Sequence, residues 1–390
     1  MVVSLFFSYY WKPSIISFLT IYIFRSIQLP KLLIVVFKVT RFDFLCMLDD
    51  WVYHYLPIIF CFLAFFVNPV FIYLIITENH TKFGNYRFLL LSFALFNLTY
   101  SLVNVIIPVV SCQDLHSHLQ EVQDIHSYRY CSFLILKHGW FAQRSEFHFH
   151  LMAGRCSLVS ASYAILLIHF FYRYLAINNS KMIRERFPLY MAGSAVVFVV
   201  YFEMWHGICY FFGSANMEVR EYIREEFQET YGLDSMDFNM LGALPYEASD
   251  ETTNRSWVAI VLWSCVSTLS IVMFWVLAGM TNRRLNKFRV NVSHKTSRFQ
   301  VELLRALVVQ TVIPIFISFA PCMLSWYGPM FGIQLARGYN YFEVSALGVF
   351  AFVDPVAIFL CLPIFRRRIF CVCYDKSTSP TTICNSRRTI

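Results

Sequence analysis

Charge is scarce in this chain. Only 14% of its 390 residues are Asp, Glu, Lys or Arg, against about 25% in an average soluble domain, which excludes an ordinary water-soluble globular protein. Glycine is thin as well, at 13 residues, too few for a collagen-like or flexible low-complexity repeat. The P-loop, HExxH and nucleophile-elbow patterns that cradle phosphate, hold a catalytic zinc or strain a serine are missing, which argues against an enzyme. Of the eleven His, only His169 and His206 fall well inside apolar runs, towards opposite ends of them. The two-apart pairs His116/His118 and His148/His150 are a weak metal signal, so no metal and no other cofactor is implied.

What the chain has in quantity is hydrocarbon. Apolar residues make up 58% and aromatics 18%, with 41 Phe, and mean hydropathy is +0.54. A membrane helix needs about 20 mostly apolar residues, because ~30 Å of hydrocarbon is crossed at ~1.5 Å per residue. Seven stretches qualify: 52–76, 88–111, 147–175, 188–212, 257–280, 303–327 and 341–363. Proline falls within several (Pro69, Pro108, Pro314, Pro321, Pro355), and in a bundle it marks a kink more often than an end. The expected fold is an all-α seven-transmembrane helix bundle.

The net charge of +8 would suggest nucleic acid in a soluble protein, but here the placement of charge decides, and no nucleic-acid partner is implied. Segments 77–87, 173–187, 281–300 and 364–390 carry eighteen Lys and Arg; the alternating set 112–146, 213–256 and 328–340 carries seven. The positive-inside rule puts the basic set and the C-terminus in the cytoplasm and the N-terminal side of the bundle outside. The 213–256 loop alone holds ten Asp and Glu, consistent with an outer location. Residues 1–46 do not fit: apolar runs at 14–24 and 32–37 are too short to span. They read as an extension absent from the mature protein, an interfacial or signal-like segment, or an eighth span. A receptor body at 47–370 and a tail at 371–390 complete the organisation.

Ionisable groups inside a span cost ~2.5–3.5 kcal/mol or more and mark function unless they pair or reach water. Arg155 in the third span and Glu203 in the fourth lie at a similar depth, ~12–14 Å from the outer side, so an ion pair is expected, either as a structural clasp or as the floor of a ligand cavity. His206 shares a helix face with Glu203, three residues away, and Glu343 lies near the outer end of the seventh span. Arg155, Glu203, His206 and Glu343 are the candidate ligand contacts, in a cavity expected to be mostly apolar and aromatic-lined. At the inner end, Tyr172-Arg173-Tyr174 closes the third span and Asp354-Pro355 lies in the seventh. An arginine on one helix and a kinked acidic segment on another suggest the two faces of a bistable bundle.

Most of the twelve Cys read as small packing residues. Cys112 and Cys131 share the first outer loop, where an oxidising compartment permits a disulfide. Cys371 and Cys373 follow the basic run 366–368 in a setting that suits palmitoylation. Asn254 is the sequon that this topology exposes to the glycosylation machinery.

Several segments in order resemble the nematode seven-transmembrane chemoreceptors, serpentine receptor class J above all, with class R as neighbour. They are Asn68-Pro69, Phe83-Gly84-Asn85-Tyr86-Arg87-Phe88-Leu89-Leu90, Ile125-His126-Ser127-Tyr128-Arg129-Tyr130, Arg144-Ser145-Glu146, Ser162-Tyr163-Ala164-Ile165-Leu166, the stretch from His169 to Ala176, and Asp354-Pro355 followed by Phe365-Arg366. The resemblance covers residues 49–370. It implies a G-protein-coupled receptor in the plasma membrane of a sensory-neuron cilium, with a small chemical ligand and a heterotrimeric G protein as partners. Tyr172-Arg173-Tyr174 then matches the Asp/Glu-Arg-Tyr segment of rhodopsin-like receptors and Asp354-Pro355 their Asn-Pro segment. Three departures stand out: no Cys lies in 213–256, Tyr172 replaces the acid, and Ile358 replaces the tyrosine after Asn-Pro. The rival reading from another class is a seven-helix ligand-gated channel or transporter.

Overall fold

The computed structural model describes residues 51–77, 84–106, 125–135, 143–178, 180–288, 294–315, 320–331, 337–362 and 365. Cys112, Cys371 and Cys373 lie outside these, as does the side chain of Glu343.

Among the described residues, five helices are long and apolar enough to cross a membrane: α1 (Trp51–Thr77), α2 (Tyr86–Ile106), α3 (Glu146–Ile177), α5 (Phe187–Ile208, extended by a π-turn at Cys209–Gly213) and α8 (Asp250–Phe288). The short α4 (Lys181–Arg184) joins α3 to α5, with Ser180 capping it by accepting from the Met182 N–H. α9 (His294–Pro314) and α10 (Ala320–Tyr327) fall in the sixth predicted span, and α11 (Arg337–Cys361) in the seventh. Pro355 lies inside α11 without ending it.

Two apolar cores stand out in the bundle among the described residues. One gathers Phe71, Tyr86, Phe93, Ile165, Tyr172 and Phe365 at the end that holds Arg173. The other gathers Phe149, Met152, Cys209 and Trp263 at the opposite end. Large apolar side chains on the outward faces, such as Phe62, Phe66, Val196 and Leu269, are exposed, as membrane helices require when lipid replaces water as their solvent.

The second core is closed by a cap that alternation and length did not reveal in the sequence. A hairpin of β1 (Ile125–Tyr128) and β2 (Cys131–Ile135) pairs antiparallel, and β2 then pairs antiparallel with β3 (Met240–Ala243), with Ser132 opposite Ala243 and Leu134 opposite Leu241. Between the bundle and β3 lie α6 (Met217–Tyr222) and α7 (Arg224–Tyr231), the latter ended by Gly232 in the left-handed region, φ 65°. The cap has its own core of Cys131, Phe133, Val219, Ile223, Phe227 and Met240. Its Leu134 and Leu241 reach into the bundle core beside Trp263. Gly213 is the point of closest approach: a Cβ there would lie 2.9 Å from the Trp263 ring.

Buried Arg220 in α6 fastens this cap. It donates through Nε to the Ala215 carbonyl (3.2 Å) and through Nη1 to the carbonyls of Ser235 (2.8 Å) and Phe238 (2.6 Å). Burial lowers its pKa to about 10, so it stays charged at neutral pH. Three charge-assisted bonds to carbonyls, each worth ~1.5–3 kcal/mol, hold the loop that lacks cysteine. Cys131 is a free thiol, fully buried in the cap core, and burial raises its pKa. It packs there as a small apolar side chain; the expected bridge to Cys112 involves a residue outside the described ones.

Candidate functional site

At the end opposite the cap, α3 buries Arg173 (3% exposed). Its guanidinium lies 3.5 Å from the ring centroid of Tyr86 on α2 and 5.8 Å from that of Tyr172, and Nη1 donates to Gln300 Oε1 on α9 at 3.2 Å. A ring face and an amide thus stand where a carboxylate would neutralise the charge. Cation–π attraction in a desolvated place is worth ~2 kcal/mol. Nε and Nη2 have no hydrogen-bond partner among the described residues.

An aromatic scaffold holds Tyr86 in place. Its hydroxyl lies 3.0 Å from His169 Nδ1, its ring stacks on Tyr172, and Tyr172 meets Tyr190 edge-on. Tyr190 in turn donates to the Ile168 carbonyl at 2.6 Å. Tyr172, which replaces the expected acid, is therefore part of the cradle. Tyr174, two residues on, faces away from it and lines a cavity with residues of α8.

Asp354 and Pro355 follow from the same backbone logic. Proline at 355 has no N–H, so the Ala351 carbonyl four residues earlier loses its helical partner. Asn68 on α1 supplies one: its Nδ2 donates to the Ala351 carbonyl at 3.0 Å and to its own Ala64 carbonyl at 2.9 Å. The asparagine before Pro69 and the proline after Asp354 are thus two halves of one α1–α11 joint. Asp354 itself is buried, and its Oδ1 has no partner among the described residues.

Towards the cap the structure corrects one expectation. Glu203 is exposed on the outward side of α5 and makes no hydrogen bond or ion pair with a described residue, so it does not pair with Arg155. Arg155 instead donates through Nε to Asn104 Oδ1 on α2, at 3.2 Å. Equal depth fixed neither helix's rotation, and rotation turned Glu203 outward.

His206, one helical turn on, meets a partner that the sequence did not single out. Its Nε2 lies 3.3 Å from His150 Nδ1 on α3, with the two rings 7° apart in plane. His150 stacks on Tyr210, whose hydroxyl donates to Glu146 at 3.0 Å. Trp205, Trp263 and Trp326, from α5, α8 and α10, line up ring to ring beneath the cap. Among the described residues no group of three His, Cys, Asp or Glu is placed to hold a metal. Asn254 is exposed near the start of α8.

A helix bundle with a buried arginine near the end of the third span and a proline joint between the first and seventh is the arrangement of a G-protein-coupled-receptor fold. Squid rhodopsin superposes with a TM-score of 0.54 at 15% identity, covering 84% of this chain and 82% of that one. The family model for the serpentine type 7TM GPCR chemoreceptor Srj matches residues 47–369. Serpentine receptor class J-38 of Caenorhabditis elegans is 58% identical over 83% of this chain and 94% of its own length, and serpentine receptor class r-10 of the same organism is 21% identical over 79% and 87%. The chain belongs to the Srj family of serpentine receptors and is a multi-pass membrane protein.

Proposed function

We propose that this receptor is chemosensory: a small chemical binds in the half of the bundle beneath the cap, and the Arg173 end signals to a heterotrimeric G protein. The reading rests on Arg173, a buried cation that ties α3 to α9 through one neutral amide, a link light enough for a ligand to shift. In this scheme the cap faces the outside and the basic end faces the cytoplasm, as the charge asymmetry favours. Arg155, His206 and Glu343 are the proposed ligand contacts, with His150 and the tryptophan row beside them; Glu203, turned outward, leaves that set. Tyr172, Arg173, Tyr174, Asp354 and Pro355 form the switch, with Tyr86 and Gln300 added.

The same proposal puts the protein in the plasma membrane of sensory cilia, with Asn254 as a glycosylation site and Cys371 and Cys373 as palmitoylation sites. A Cys112–Cys131 disulfide is part of the same proposal.

The test is a second-messenger assay on the full chain at the cell surface, against volatile and water-soluble chemicals, with Arg173→Ala alongside. A ligand response lost in the variant at equal surface level supports the proposal. A response or current that persists with G proteins blocked overturns it in favour of a channel or transporter.

A further inference from the structure

The cavity that Tyr174 lines sits between the ends of α3 and α8, has a volume of about 230 Å³, and is otherwise lined by Met280, Arg283, Arg284 and Lys287. That is room for about seven water volumes of ~30 Å³, or for one hydrated phosphate-bearing group. Among the described residues that line it, three are cations and none is an acid, so the space suits an anion.

The sequence places them on one stripe. Met280, Arg283, Arg284 and Lys287 are spaced three, four and seven apart, so they share one face of α8 at its end. Arg284 and Lys287, three apart on that face, carry like charges that repel one another, and a bound anion relieves the repulsion. Arg283, Arg284 and Lys287 are all exposed at the surface of the helix. A purely structural reading, in which these cations complement the helix dipole, accounts best for Lys287 in the last turn. It accounts less well for Arg283 and Arg284, which lie about a turn earlier.

Position decides between lipid and soluble anion. The apolar stretch of α8 runs to Met280 and the cations begin at Arg283, so the cavity opens where the hydrocarbon ends. Its floor is apolar (Met280) and aromatic (Tyr174). A headgroup of the adjacent leaflet reaches this depth with its glycerol against Met280, whereas a free phosphate gains nothing from that floor.

We propose that the cleft between α3 and α8 is a binding site for the phosphorylated headgroup of an inner-leaflet phosphoinositide. The proposal rests on the orientation adopted above. Through Tyr174, next to the latch residue Arg173, the lipid would bear on the position of α8 relative to α3.

The experiment uses the purified full chain in phosphatidylcholine nanodiscs carrying a trace of fluorescent phosphatidylinositol bisphosphate. The wild type is expected to hold the lipid, and Arg284→Gln/Lys287→Gln to bind it at least about tenfold more weakly, since each cation near an anionic surface contributes appreciably. The charge-keeping variant Arg284→Lys/Lys287→Arg is expected to bind within about twofold of wild type, which separates lost charge from lost folding. Equal binding by the Gln variant overturns the proposal, as does equal displacement by phosphatidylserine at matched charge, because diffuse attraction would then suffice. Displacement by soluble inositol trisphosphate as effective as by the lipid assigns the site to a free phosphate and likewise overturns it. If lipid binding fails while the second-messenger response persists, only this inference falls; if the response fails while lipid stays bound at Arg284 and Lys287, only the signalling proposal does.

Discussion

Arg173 on α3 donates to Gln300 on α9 at 3.2 Å, across 127 positions of sequence. A hydrogen bond from a charged donor is worth ~1.5–3 kcal/mol, so this one contact is large enough to set the balance of a two-state bundle. Gln300→Ala is expected to raise ligand-free signalling by about tenfold or more. Gln300→Glu, which turns the amide into an ion-pair partner, is expected to lower it. Basal nucleotide exchange on the coupled G protein, at equal surface level, reads both.

Asn104, not Glu203, is the group whose loss should mimic the loss of Arg155. Removing the acceptor takes a hydrogen bond from a cation set among the helices, at a cost of ~1–3 kcal/mol. Surface expression of Asn104→Ala is therefore expected to fall alongside that of Arg155→Ala. Glu203→Gln is expected to express normally, and exchanging the charges at 155 and 203 should rescue nothing.

The α1–α11 joint predicts a compensation. Asn68→Leu strands the Ala351 carbonyl that Pro355 already deprives of a helical donor, a loss of ~1–3 kcal/mol. Pro355→Ala restores an N–H at that position. The double variant should regain much of the thermal stability lost in Asn68→Leu, which a denaturation series in detergent measures as a coupling between the two sites.

Glu218 gives the cap a dependence on pH. Its carboxylate accepts from the Ser249 N–H and hydroxyl, both at 2.6 Å, and from the Thr252 hydroxyl at the start of α8. These bonds hold its pKa below the ordinary 4.5. The stabilisation is therefore complete above about pH 4.5 and fades as pH falls through the depressed value. Proteolysis of the cap should quicken below about pH 4.5, and Glu218→Gln should remove that dependence.

Part of the site is legible in the order of the residues alone. Arg173 and Asp354-Pro355 stand out because charge and proline are rare in apolar runs, and both are buried points of contact between helices. Tyr86 and Gln300 carry no such signal: a tyrosine before an apolar helix and a glutamine after a basic loop are ordinary there. Asn68 and Pro355 are each visible, yet that one serves the other depends on the contact between α1 and α11. The pairing of β2 with β3 is hidden because four- and five-residue strands in polar loops carry too little alternation to detect.

What the sequence alone determined was membrane insertion, the spans and the asymmetry of charge. Those are one-dimensional properties, set by the length of apolar runs against a fixed hydrocarbon thickness and by counts of Lys and Arg. Partner choice was decided only by the tertiary structure. Depth follows from position along a helix, but which neighbour a side chain meets depends on the helix's rotation, and rotation is fixed by packing against every other helix at once. For that reason Arg155 found Asn104, Glu203 turned outward, and Arg173 settled between a tyrosine ring and an amide.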